Sequence, residues 1–599
     1  MITTIRKTTT KSIVTIVSAF TLLFSFGSCQ DYLDVQPEDK LSGDQVYRNV
    51  YDADAAVLGI YGKFMGLAEK YVVLNEMRAD LMTTTRNSNP YLKELSQHNV
   101  SAQNTYINPK QFYEVIQNCN DALKNFDIML ADKKFTQPQY DQRYADIACI
   151  RTWIYLQLGI QYGTVPYITE PIETLDDVKN INKFPRLPFD QLLDKLVTFT
   201  EALTYKNIYD SQSSLLVTVD GYDTRKFFIN KECLLGDLQL WKGNYLSAAS
   251  HYKNVMEETP AAGVNTFDNY RVKYAEVITN EDLAVGYLRN FEQDATTLVN
   301  SDTKGWRSIF GRSRDVLWNS EWIWSLPFDS NFTPANPFIA FFSKTGGDYL
   351  AKPSQRAIDL WNSNTQTNDF PYDARGPKFT YNMVGGEPVI MKYLYKYQAA
   401  NDQFKRNGDW FLYRAAKLHL RYAEAANRDN QQKIAYALLN VGIKAAYSPA
   451  TVPVNVTDIQ QTFLAFPYNF DARQGDFPNY RAPWHRNAGI RGRARLQAVG
   501  AIGDNMITTE NNIINEAALE LAYEGNRWED LVRIARRRND PAFLADKIFE
   551  KLNKEGNAEA TAVRAKLMIS CSVSNLQLPR GRFFLVKPAN ATRSILKTS

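Results

Sequence analysis

The sequence predicts a mainly α-helical protein, a tetratricopeptide-like helical-repeat scaffold of about four helix pairs carrying a loop-rich lobe with a few short strands. Three observations predict it. Apolar residues recur at helical spacing in paired blocks near 111–163, 226–260, 410–446 and 511–538. One block has the small-residue and aromatic spacing of a helical repeat. Between about 265 and 400, Gly, Pro and aromatic rings displace the helical rhythm.

The chain opens with a segment of a different kind. Arg6, Lys7 and Lys11 precede the apolar run Ile13–Phe26, which is too short to span a bilayer and reads as an export signal over residues 1–28. It ends in Phe26-Gly27-Ser28-Cys29, the pattern of a lipobox cleaved before a cysteine that then carries lipid. More than one acyl chain on Cys29 would give stable anchoring. An ordinary signal peptide beside a chance cysteine is the alternative. No later run of 18 or more apolar residues occurs, so residues 29–599 are expected to fold in water. The leader holds three basic residues and no acidic one, so the net charge falls from +4 to +1 without it. That balance argues against nucleic acid as a partner.

In the first block, Phe112, Val115, Ile116, Cys119, Ala122, Leu123, Phe126 and Met129 line one helix face. The second helix, Arg143–Tyr162, is apolar nearly all round and stops at Gly163 with Pro166 beyond, so it should lie buried between others. In the next block, Gly236 is followed by Ala248, Tyr252, Val255 and Pro260 at offsets 12, 16, 19 and 24, the spacing of a tetratricopeptide unit, with Gly243-Asn244 as the turn. Looser copies are Phe411–Arg428 with Gln431–Ala446, and Asn511–Tyr523 with Arg527–Arg538. Glu321–Leu326 alternates as a short strand, and segments 63–108 and 447–507 read as smaller decorations. Cys119, Cys149, Cys233 and Cys571 lack CxxC spacing, which disfavours zinc; Cys119 and Cys149 either pair or, as the residue type favours, stay buried and free.

Catalytic signatures are missing. The four histidines lie far apart, and no HExxH, GxSxG, Walker A or GxGxxG pattern occurs, so no catalytic residue, metal or cofactor is assigned. Glu516, Glu520 and Glu524 are spaced four apart, with Arg527 and Arg533 following, and read as a charge network tying helices together. The run Arg481, His485, Arg486, Arg491, Arg493 and Arg495 reads as a solvated loop, or else as a site for sulfated or uronic glycans.

Several landmarks, in this order, resemble the SusD/RagB-like outer-membrane glycan-binding lipoproteins. They are Cys29-Gln30-Asp31-Tyr32-Leu33-Asp34-Val35-Gln36-Pro37, Tyr47-Arg48-Asn49 with Asp54–Tyr61, Tyr162-Gly163-Thr164-Val165-Pro166, Leu420–Ala425, and Glu516, Glu520-Leu521 and Glu524–Leu531. Ala517 stands where the family has Arg, and only Leu578-Pro579-Arg580 represents its closing region. The resemblance implies a single SusD-like domain over 29–599, held on the outer membrane by lipid and facing outward. Such a protein binds oligosaccharides without cleaving them and delivers them to a SusC-like TonB-dependent transporter. A surface glycosidase, which needs only two well-placed carboxylates, and a protein-binding repeat scaffold are the alternatives.

Rings make up 13% of the chain, and sugar rings present an apolar C–H face that packs flat on an aromatic ring. Trp322 and Trp324, alternating in the strand, read as core. Trp306, Trp318 and Phe332, in polar loops, are the candidate stacking rings. Arg86, Asn89 and Tyr91 join them because the resemblance implies binding residues in the loops of both regions.

Overall fold

A computed structural model describes residues 46–173, 177, 184–210, 212–219, 222–256, 306–311, 321–331, 333–367, 370–397, 404–448, 462–470 and 489–570. Cys29, Trp318, Phe332, the leader, and Arg481, His485 and Arg486 lie outside them. The principal helices are α1 (Val50–Met65), α2 (Lys110–Ala131), α3 (Gln137–Tyr162), α4 (Phe189–Glu201), α5 (Lys231–Lys242), α6 (Tyr245–Met256), α7 (Ala415–Arg428), α8 (Gln432–Leu439), α9 (Met506–Glu520), α10 (Arg527–Arg538), α11 (Pro541–Lys554) and α12 (Ala560–Ser570). The strands are β1 (Met82–Thr84), β2 (Trp322–Phe328), β3 (Ala351–Pro353), β4 (Tyr381–Val384), β5 (Glu387–Ile390) and β6 (Gly408–Arg414), with four two-residue strands besides among the described residues. The fold is mostly helical, with few short strands.

The helix pairs form for the reasons their spacing gives. All eight stripe residues of α2 are buried against α1 and α3. The side chain of Gln139 accepts from Thr136 N–H at 3.0 Å at the start of α3, and Gly163 ends it with φ 73°. Its residues from Ala145 to Gln161 are all buried, as an all-round apolar helix requires. In the α5–α6 pair a Cβ on Gly236 would stand 2.3 Å from the Tyr252 ring, so only glycine lets these helices meet. Gly243, at φ 87°, makes the turn.

One boundary, one packing partner and one added hairpin differ from the sequence reading. Phe411 does not begin a helix: Gly408–Arg414 is strand β6, paired antiparallel with β2, and α7 starts at Ala415. Trp410, Phe411, Leu412 and Tyr413 suit a strand buried on both faces, and the ring-rich β2 supplies their partner. In the last pair, α9 and α10 both form, but α10 packs mainly on α11, and α11 with α12 makes a helix hairpin the sequence reading did not include. Its signals were present: Asp540 caps at Pro541, and Leu544, Ala545, Ile548 and Leu552 form a buried stripe.

Segment 63–108 is core rather than decoration. Val73–Met77 is a buried π-helical turn packed on α10. Glu76, wholly buried, accepts from the backbone N–H groups of Gly525 (2.7 Å) and Asn526 (3.0 Å), and burial pushes its carboxyl up to about 8. The rings of Phe64, Trp153, Trp324 and Trp410 meet at the centre, Phe64 stacking on Trp410 at 5.1 Å, so α1, α3, β2 and β6 share one core. Trp322 and Trp324 are buried, as their strand alternation implied. Cys119 and Cys149 are buried free thiols and do not pair, and Cys233 is buried as well. Among the described residues, no helix is long and apolar enough to cross a membrane.

Candidate functional site

The acidic face of α9 and the turn after it is consumed by structure. Glu516 pairs with Arg375 (2.6 Å) and Arg491 (2.8 Å), and Glu524 with Lys392 (2.6 Å) and Arg414 (2.8 Å). Between them Glu520 meets Arg493 (2.6 Å), Arg414 (2.7 Å) and Arg375 (2.7 Å), all fully enclosed. Burial alone would raise the Glu520 carboxyl, but Arg493, Arg414 and Arg375 hold it well below the usual carboxylate range. A carboxylate clamped this way is a poor proton donor. Arg491 and Arg493 therefore belong to this network, and are neither solvated nor free to meet an anionic sugar; Arg495 is half-buried. Among the described residues, no His, Cys, Asp and Glu side chains converge as a metal site.

Trp306 is not a solvent-facing ring. It is 1% exposed, with Arg414 (5.5 Å), Arg493 (5.9 Å) and Lys392 (6.0 Å) over its face. Guanidinium groups taken out of water favour a π surface, so the ion network draws the ring inward. The polarity of neighbouring residues in sequence carries no record of that.

Arg86, Asn89 and Tyr91 are placed differently. Strand β1 pairs with β3, which brings the loop Thr85–Pro90 beside residues 348–350. Thr85 Oγ1 donates to the Tyr349 carbonyl (2.5 Å), Ser88 Oγ to that of Leu350 (2.5 Å), and Asn87 Nδ2 to that of Asp348 (2.9 Å). The loop is thus fastened at its base, while Arg86, Asn87 and Asn89 stand exposed. Arg86 makes no hydrogen bond or ion pair among the described residues. Asn89 is more committed: its Oδ1 accepts from Leu92 N–H at 2.9 Å to cap the helix Pro90–Ser96. Tyr91 is half-buried, with its carbonyl held by Asn104 Nδ2 at 2.9 Å.

Lys344 and Asp348 are exposed on the facing segment, and Lys344 Nζ donates to the Val384 carbonyl at 2.9 Å, tying in the β4–β5 hairpin. Tyr106, half-buried and edge-on to Phe341 at 6.5 Å, completes this face. Exposed donors and acceptors beside half-buried tyrosine rings match what a sugar presents: hydroxyls at the rim and C–H groups on the face. The structure therefore joins Arg86, Asn89 and Tyr91 to Tyr106, Lys344 and Asp348, and separates them from Trp306. Tyr106 was within reach of the sequence, since Asn104-Thr105-Tyr106 is also a ring in a polar stretch.

Residues 486–567 match the SusD family model. Two curated SusD-like proteins of Formosa agariphila are similar, one 24% identical over 216 residues and the other 23% over 181. These matches cover 35% and 27% of this chain, and only 39% and 32% of the relatives' own lengths. Solved structures share the fold over most of the chain. A SusD superfamily protein from Bacteroides vulgatus aligns over 92% of this chain and 97% of its own, with TM-score 0.57 at 13% identity. A SusD-like carbohydrate-binding protein from Bacteroides fragilis aligns over 83% and 88%, at 0.54 and 15%. A laminarin-binding SusD-like protein aligns over 91% and 98%, at 0.53 and 14%.

Proposed function

Because the chain folds as the SusD superfamily does and carries the SusD family signature over residues 486–567, we propose that it is a non-catalytic, glycan-binding surface lipoprotein of the outer membrane. In this reading lipid on Cys29 anchors it, and it passes captured oligosaccharides to a SusC-like TonB-dependent transporter. The observation that carries the binding function is the fastened loop with Arg86 and Tyr91 exposed or half-exposed beside Lys344 and Asp348. A loop held at its base by three side-chain hydrogen bonds presents its outward groups without much ordering cost on binding. The acidic face of α9 offers no support to the glycosidase alternative, since its carboxylates are enclosed by arginines.

The test is a glycan array on the protein from residue 30 onward, followed by calorimetry. Laminarin oligosaccharides are the first probe, chosen from the structural neighbour that binds laminarin. Ring stacking on an open face gives dissociation constants of about micromolar to millimolar, since each ring contact adds only around a kcal/mol beyond area burial. Tyr91→Ala should raise the dissociation constant about tenfold with the unfolding midpoint unchanged. Absence of binding to every glycan tested would refute the proposal.

A further inference from the structure

Helix α1 is apolar on both of its faces. Ala53, Val57, Ile60, Tyr61 and Phe64 turn inward, and the helix packs on α2 and α3. Tyr51, Ala55, Leu58, Gly59 and Gly62 are spaced as the opposite side of the same helix. Tyr51 is 70% exposed and Leu58 50%, and Ala55 and Gly59 are exposed with them. A Cβ built on Gly59 or Gly62 would meet nothing within 4 Å, so among the described residues nothing lies over this stripe. The stripe itself is uncharged. Arg48 and Asp52 pair with each other at 3.0 Å beside one end, and Lys63 stands exposed at the other. A helix that is apolar all round normally has cover on every side, and an exposed apolar stripe marks a contact.

Two observations choose the occupant. The stripe offers on the order of 300 Å² of apolar surface, well short of the roughly 800 Å² per partner that a stable protein pair buries. A bilayer asks for no matching shape. It takes a helix lying in the interface with its apolar side down and cationic side chains at the border, and a tyrosine ring suits the headgroup level. The second observation is position. Only the sixteen residues 30–45 separate Val46 from Cys29, the lipid site of the proposed reading. Fully extended they reach at most about 60 Å, so lipid on Cys29 holds this end of α1 near a bilayer and raises its effective concentration there. We propose that the outward stripe of α1 lies in the bilayer interface as a second membrane contact beside the lipid on Cys29, and so fixes which side of the molecule faces the membrane. The proposal rests on the lipoprotein reading above and adds the surface that meets the bilayer.

The experiment uses vesicles of phosphatidylethanolamine and phosphatidylglycerol. In its first arm the full lipidated protein is reconstituted with an environment-sensitive dye on Leu58→Cys or, as a control, on Ile502→Cys, which is 51% exposed in the wild type. Lipids spin-labelled near the headgroup should quench the dye on Leu58→Cys severalfold more than the control. In the second arm the unlipidated chain from residue 30 should float weakly with the same vesicles. The double variant Tyr51→Asp, Leu58→Asp should lower that partition about tenfold, with the unfolding midpoint unchanged. Equal quenching of the two dyes, or equal partition of the two chains, would overturn the proposal. So would a dye on Leu58→Cys that is already shielded without vesicles, by residues 30–45 or by a second copy, or that is shielded only when a transporter barrel is added. A lowered unfolding midpoint in the double variant would show a packed stripe and overturn it too. If mass spectrometry finds no acyl chain on Cys29, it is the lipoprotein reading that fails, and the second arm then decides the proposal by itself.

Discussion

Trp306 and Tyr91 are both aromatic residues preceded by polar stretches, yet one is enclosed by Arg414, Arg493 and Lys392 and the other sits half-exposed on a fastened loop. The difference predicts opposite phenotypes. Trp306→Ala should cost about 3–5 kcal/mol of stability, as large-to-small changes in a core do, and leave glycan affinity of the folded fraction unaltered. Denaturant unfolding checks the first part and calorimetry the second. A stable Trp306→Ala that loses binding would reverse the assignment. The arginines teach the same lesson. Arg491 and Arg493 look like solvated residues of a basic loop in sequence, and they are internal because Glu516, Glu520 and Glu321 neutralise them.

At the scale of elements, helical stripes and caps were legible, since periodicity follows directly from which face is buried. The stripe on α2 and the glycine–tyrosine fit between α5 and α6 were both readable before any coordinates. Strand β6 was not, because Trp410 to Tyr413 suit helix or strand equally until β2 is seen beside them. The α4, α5 and α6 helices also share a titratable tie. His251 Nδ1 lies 2.8 Å from Glu232 and its Nε2 lies 3.0 Å from Glu201; Asn254 and Gln239 bond the same two carboxylates, and Lys206 stands 3.8 Å from Glu201. Burial opposes the charge on His251, but Glu232 and Glu201 outweigh it and raise its pKa. A raised folded-state pKa gives stability that is fully present below the unfolded value of about 6.5 and is lost as pH rises through the folded value. The unfolding midpoint of His251→Gln should therefore fall below that of wild type at pH 6, and the gap should close on the alkaline side. A gap independent of pH would mean that the tie does not titrate.

For the whole molecule, the testable consequences concern where the protein sits and with what. Cys29→Ala should move the protein from the membrane fraction to the soluble one, and mass spectrometry of the wild-type N-terminal peptide should show acyl chains on Cys29. Co-purification in mild detergent should recover a TonB-dependent barrel with it. Unchanged fractionation, or recovery of the protein alone under conditions that preserve such pairs, would count against the anchored, transporter-coupled reading.

The amino-acid order alone determined the helical class, three of the four helix pairs within a few residues, the ordered landmarks that resemble SusD-like proteins, and the structural role of Glu516, Glu520 and Glu524. Those features are local: spacing, caps and turns act over a few residues, so a linear reading retains them. Only the tertiary structure decided which charged and aromatic residues are inside. Glu76, Asp80, Arg375 and Arg493 look like surface in a sequence, and their burial depends on partners from distant parts of the chain. The same long-range pairing, β1 with β3, brings Arg86 and Tyr91 to Asp348 and Lys344. Burial is a property of the assembled contacts rather than of the residue type, and so the face proposed to bind glycan could be delimited only in the folded chain.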